Sequence, residues 1–305
     1  MRPVDELLAD CHFPPAQRAV DLAVSGGPDS MGLLLLARAA QLVVTVHHVD
    51  HHARRGSDLD ARFVAEYCAR EHVAFVGHDV HVAAGPNFEA RARAARRALL
   101  PAHSLTGHTM DDLVETMVLN MLRGAGVDGL SPLVDDPTKP LVQLRRARLH
   151  EFVRNAGVEA RLDPTNDSPD FRRNRVRHEL LPLMNDVAQR DVTPVLARSA
   201  RVMRDERTWL DELGAADASR SLTTIDCREL VTWPLARLRR WLRAQLVVVD
   251  DQLQHCPPSV DEVTRVIDVV FGRTNATQLS GGRRLARSAQ RLRLEEGSTT
   301  LTNHG

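Results

Sequence analysis

The chain has 305 residues, 43% hydrophobic and 26% charged, with 40 basic and 40 acidic side chains and a formal net charge of zero. That length suits about two domains of ~150 residues. A neutral chain carries no global basic signal for nucleic acid, so any such contact has to be local. The four cysteines, Cys11, Cys68, Cys227 and Cys256, form no CxxC pair, which argues against a zinc ribbon, an iron–sulfur site or a disulfide framework. The first residues hold no apolar signal core and no apolar run approaches the ~18 residues of a membrane span. A cytoplasmic protein with no membrane partner is expected.

In chain order, the apolar run Val20–Val24 predicts a strand, and Met31–Ala40 predicts a helix. Between them lie Ser25, Gly26, Gly27, Pro28, Asp29 and Ser30. A strand, a glycine turn and a helix start make an anion site: the glycines let N–H groups turn inward and the helix N-terminus adds positive partial charge. Phosphate is the expected guest, with Asp29 able to hold a metal ion. The plain alternative is a tight turn with Asp29 or Ser30 as N-cap. A Walker loop needs Gly-Lys-Ser/Thr, but the only lysine, Lys139, follows Thr138.

Further elements follow as strands at Leu42–Val49 and Val73–Val80, a helix at Ser57–Glu71, a helix at Asn87–Leu100, a short strand at His103–Gly107, and a helix at Asp111–Arg123. Leu141–Leu144 reads as another strand. Alternating strands and helices predict an α/β fold with a doubly wound parallel sheet, its ligand site beyond the carboxyl ends of the strands. The Ser25 loop, His48 to Arg54 and Gly107–His108 all fall there. From Leu149 to Leu213 the pattern turns helical, and Gly214–Asp217 reads as a linker. The tail is read as a small, mostly helical domain with a terminal β-hairpin. In it, Cys227–Val249 is a helix bearing Arg237, Arg239, Arg240 and Arg243, Ser259–Glu262 is a capping box, and Gly281-Gly282 turns a hairpin.

Four segments offer chemistry. His47–Ser57 is dense in titratable groups, and a nucleotide-contacting loop with His51 and Arg54 near phosphates fits it better than a metal site. Asn87–Arg97 places Glu89, Arg93 and Arg96 near one helical face, open to a solvated-face reading or to phosphate and RNA contact. His108, Asp112 and Glu115 share a stripe at i, i+4, i+7; a buried stripe would be apolar, so this one is expected to face a cleft or solvent. Such a set can hold Mg²⁺, bind an ammonium group or move a proton, and the alternative is carboxylates complementing a helix dipole. Phe171–His178 is a basic helix start whose arginines and Asn174 could touch RNA or nucleotide.

Together these residues resemble the N-type ATP pyrophosphatase superfamily, with its SGGxDS loop, and within it the tRNA(Ile)-lysidine synthetase family. The match runs through His48, Asp50, His51, Arg54 and Ser57; Glu89, Ala92, Arg93 and Arg96; His108, Asp112, Glu115 and Thr116; Arg123, Gly124 and Gly126; and Asp163, Asn166, Arg173, Asn174 and Arg177. Arg97 stands where the family has tyrosine, and Thr165 where it has serine.

The resemblance implies an adenine nucleotide α-hydrolase-like domain over 1–213, helical from about 149, and a tRNA-recognition domain over 218–305. It implies that ATP adenylates the C2 oxygen of the wobble cytidine in a CAU anticodon of tRNA(Ile), and that L-lysine then displaces AMP. ATP would meet Ser25 to Ser30, His51, Arg54 and Gly107. Catalysis would fall to Asp29, Arg93, His108 and Asp112, with Mg²⁺ on Asp29. Lysine would meet Asp112 and Glu115, and tRNA would meet Arg96, Arg173, Asn174, Arg177, Arg240 and Arg243. The family also suggests a homodimer. The nearest alternative is a tRNA 2-thiolating enzyme, which usually presents CxxC cysteines; a non-catalytic nucleotide sensor is the other. No glutaminase part is visible for an amidotransferase.

Overall fold

The computed structural model describes residues 4–50, 57–80, 95, 98–161, 171–249 and 255–295. It divides into two units, Met1–Arg207 and Thr208–Gly305.

In the first unit, α1 (Val4–Ala9) precedes β1 (Ala19–Ala23), α2 (Pro28–Ala39), β2 (Val43–Asp50), α3 (Ser57–Arg70) and β3 (Ala74–Asp79). The strands form a parallel sheet in the order β1-β2-β3. Leu105 then forms a parallel bridge to Leu22, on β1, with Leu105 N–H donating to Asp21 O (2.8 Å) and Ala23 N–H to Leu105 O (2.9 Å). The chain thus builds outward from β1 and returns to β1 at Leu105. A reversal of this kind opens a crevice at the carboxyl ends of the two segments. The expected strand at His103–Gly107 is reduced to this bridge.

The apolar runs do what their continuity predicts. Leu22, Met31, Leu33, Leu34, Leu36 and Val46 are fully buried in one core under the sheet. Later elements are α4 (Met110–Met121), α5 (Val127–Leu130), α6 (Arg146–Asn155), α7 (Arg172–Arg175), a π-helical turn Val176–Leu180, α8 (Leu181–Ala188) and α9 (Thr193–Ala218), whose residues from Thr208 on belong to the second unit. Leu141–Leu144 is a series of turns, not a strand; Leu141 and Leu144 are buried there as core side chains all the same. Gly214–Asp217 is no loop but lies inside α9.

In the second unit the single helix expected at Cys227–Val249 is broken. Pro234 lacks the N–H that a helix interior needs, so α10 (Cys227–Leu230) ends, α11 (Leu235–Gln245) restarts, and Val248–Val249 (β4) pairs with His255–Cys256 (β5). Ser259 caps α12 (Val260–Val270), accepting from Glu262 N–H (3.1 Å). Glu262 does not close the box; its buried carboxylate accepts from Ser280 N–H (2.7 Å) and Oγ (2.8 Å). β6 (Ala276–Gln278), β7 (Arg284–Ser288) and β8 (Arg291–Glu295) make an antiparallel meander. Its last turn is Ala289-Gln290, both at positive φ, without the glycine or asparagine that usually marks such a turn.

Candidate active site

The Ser25–Ser30 loop leaves β1 and enters α2. Gly26 sits at φ +90°, a conformation that favours glycine, and its carbonyl accepts from Arg161 N–H (2.9 Å). Gly27 is the N-cap and Pro28 opens the helix, where a missing N–H costs nothing. Ser30 ties the loop together: Ser25 N–H donates to its Oγ (3.2 Å), and that hydroxyl donates to Gly27 O (2.9 Å). The N–H groups of a helix's first turn have no intrahelical partners, so the loop keeps donors for an anion. Gly107 approaches from across the crevice. A Cβ there would lie 2.6 Å from Asp29 O and 3.1 Å from Ser30 N, so only glycine lets the two segments meet.

Thr109 caps α4, and Asp112 accepts from Thr109 N–H (2.7 Å) and Oγ1 (2.8 Å). His108 therefore precedes the helix and does not extend the stripe; its Nδ1 lies 2.7 Å from Thr106 Oγ1. Asp112 and Glu115 are brought together but, contrary to expectation, are buried, at 8% and 1% exposure. Three arginines make this possible. Arg146 donates to Glu115 Oε1 (2.9 Å) and Asp112 Oδ1 (2.8 Å). Arg173 donates to Glu115 Oε2 (2.8 Å) and Asp112 Oδ1 (2.8 Å). Arg177, on the π turn, donates to Glu115 Oε1 (2.7 Å) and Oε2 (3.0 Å). Burial pushes the Asp112 carboxyl up, but Arg146 and Arg173 outweigh it and bring it down to about 2. Glu115 is likewise lowered, burial being overcome by Arg177 and Arg146.

The loop and this lattice are joined through α6. His150 Nε2 donates to Asp29 Oδ1 (2.8 Å), and Arg146 Nε lies 3.6 Å from Asp29 Oδ2. Arg146 and His150 are absent from the sequence-derived set of site residues. A signal for the first exists: arginine opening a helix runs against its dipole and calls for an external acid. Here Asp111 also accepts from Arg146 N–H (2.8 Å). Asp29 is one half-exposed carboxylate, which suits Mg²⁺ held mostly by phosphate oxygens and water. Among the described residues no group of three His, Cys, Asp or Glu side chains forms a cage for a metal ion.

The remaining site residues divide. His51, Arg54, Arg93 and Arg96 lie outside the described residues, as do Glu89, Asp163 and Asn166. Arg173 and Arg177 face the carboxylates, and Asn174 is buried. His47 and His48 are structural: His47 Nε2 meets Asp21 Oδ1 (2.9 Å) and its Nδ1 meets His78 (3.0 Å), while His48 Nδ1 meets Val24 O (2.8 Å). In the second unit Arg240 pairs with Asp211 and Arg237 with Asp217. Burial pushes the Cys11 thiol up to about 12 and Cys68 to about 11, far from thiolate chemistry. Among the described residues no helix is long and apolar enough to cross a membrane.

A parallel sheet with a lysine-free glycine loop at its point of reversal defines a PP-loop nucleotide domain, and the PP-loop domain family matches residues 2–184. Similarity then extends further along the chain. The tRNA(Ile)-lysidine synthase of Nocardia farcinica is 36% identical over 253 residues, covering 77% of this chain and 78% of the relative. That of Rhodococcus erythropolis is 36% identical over 250 residues, covering 77% and 75%. The chain belongs to the PP-loop family and, within it, to the tRNA(Ile)-lysidine synthases. Among solved structures, the U34-tRNA thiolase NcsA of Methanococcus maripaludis shares the fold, with a TM-score of 0.53 at 13% identity over 66% of this chain and 78% of that one.

Proposed function

We propose that the chain ligates free L-lysine to C2 of the wobble cytidine in a CAU-anticodon tRNA(Ile), consuming ATP. The observation that carries this reading is a buried carboxylate pair, Asp112 and Glu115, joined by Arg146 to the phosphate loop. The C2 oxygen of the base attacks the α-phosphorus of ATP and pyrophosphate leaves toward the N–H groups of the Ser25–Ser30 loop. The lysine amine then attacks C2, and the C2–O bond breaks to release AMP. Bound Mg²⁺, held on the protein side by Asp29, would neutralise triphosphate charge.

Lysine brings an ammonium, and Asp112 and Glu115 supply the matching charge. They are shared at present among three guanidiniums. Arg173 and Arg177, with 34% and 27% of their side chains exposed, are freer to leave than Arg146 at 14%. RNA phosphate drawing Arg173 and Arg177 outward would open the pair to lysine, giving these two residues a role toward tRNA as well. His108, beside Thr106, would take the amine proton. Arg93 would add charge at the phosphates, with His51 and Arg54, and Arg96 would meet RNA. Arg240 and Arg243 are candidates for the tRNA body. Sulfur transfer finds no support in the raised pKa values of Cys11 and Cys68.

Incubation with ATP, labelled lysine and a CAU-anticodon tRNA transcript tests the reading. Label entering the tRNA is expected. Pyrophosphate release with no label in tRNA would overturn the lysine step and leave only adenylation.

A further inference from the structure

We propose that Arg146 is a positioning residue that makes the nucleotide loop and the lysine-binding carboxylates respond to each other; the proposal rests on the lysine reading above. One guanidinium spans three carboxylates. Nη1 is bound to Glu115 and Nη2 to Asp112 at hydrogen-bond distance, while Nε faces Asp29 at 3.6 Å. That Nε is buried and makes no hydrogen bond. A buried donor without an acceptor is unfavourable, and a small shift of Asp29 or of Arg146 would satisfy it.

Arg146 is also fixed at its root. It opens α6, its own N–H is held by Asp111, and the helix packs on α2 so closely that a Cβ on Gly32 would meet Leu149 Cδ1 at 2.5 Å. The guanidinium cannot be displaced by moving the helix. It can only be redistributed among its three carboxylates. An ammonium arriving at Asp112 and Glu115 competes for those oxygens and releases the guanidinium toward Asp29. A nucleotide that engages Asp29 returns it to the pair. Two ligands that redistribute one shared cation are thermodynamically coupled, and by linkage the factor is the same in both directions. Arg173 and Arg177 pair with Asp112 and Glu115 rather than with Asp29, so neither replaces Arg146 in this.

The test is lysine affinity measured by calorimetry with and without magnesium α,β-methylene-ATP, in wild type and Arg146→Lys. In the wild type the two lysine constants should differ by about fivefold or more. In Arg146→Lys, a single ammonium cannot span three carboxylates, and the ratio should fall to about one while lysine still binds. His150→Asn, which holds Asp29 but not the pair, should keep the ratio. In wild-type protein alone, hydrogen exchange over residues 25–31 should change when lysine is added. A wild-type ratio of one, a ratio unchanged in Arg146→Lys, or exchange over 25–31 indifferent to lysine would overturn the coupling. Wild type that takes up no lysine under any condition would overturn the lysine reading and this proposal with it.

Discussion

The phosphate loop and the carboxylate lattice meet at Asp29, yet they are built in opposite ways. The loop is local: Ser25, Gly27 and Ser30 satisfy one another within six residues, and the strand and helix that flank it are apolar runs. The lattice is non-local: Glu115 takes its partners from positions 146, 173 and 177. A local site survives on backbone geometry. A lattice of buried charges survives only if every partner arrives, since a lone buried ion is far costlier than a paired one.

Breaking the lattice should therefore cost most. Glu115→Ala leaves three arginines around an empty, buried position and should destabilise the protein by about 3–5 kcal/mol, read as a lowered urea midpoint. A midpoint within error of wild type would mean that the arginines find water instead.

Asp112 sharpens the contrast through pH. Its folded pKa of about 2 lies below the ordinary 3.8. Its contribution is therefore present above pH ~4 and lost as pH falls toward 2, an effect of about 2 kcal/mol. Asp112→Asn should flatten the acid limb of the stability curve between those values. An acid limb of unchanged slope would place the titration elsewhere.

Gly107→Ala attacks the contact between the crevice walls. The added methyl meets backbone atoms of Asp29, and overpacking of this kind costs ~1–3 kcal/mol. ATP affinity should drop by about tenfold, with a smaller effect on lysine binding in the absence of nucleotide. Equal loss for both ligands would show that the loop and lattice move as one body.

Ser30→Ala should be the mildest. It removes an acceptor for Ser25 N–H and a donor to Gly27 O, for about 1 kcal/mol. A thermal melt reads the stability term and an ATP titration reads whether the loop has lost its shape.

The same division explains what could be read in advance. Strands β1 to β3, helices α2 to α4 and the Ser25–Ser30 turn follow from runs of apolar residues and from glycine placement. Burial of Asp112 and Glu115 could not be read that way, because a charged stripe on a helix looks solvated until its arginines are located. The helix expected over Cys227–Val249 breaks before Pro234, which is a local signal. The Ala289-Gln290 turn had no local signal at all; it is imposed by the pairing of β7 with β8.

The Ser25–Ser30 turn, the parallel sheet and the family are legible along the chain, because each depends on residues adjacent in it or ordered along it. The state of the carboxylates is a matter of packing. Their charge is set by Arg146, Arg173 and Arg177, and Coulomb attraction acts on distance in space, which the spacing of residues along a chain does not fix.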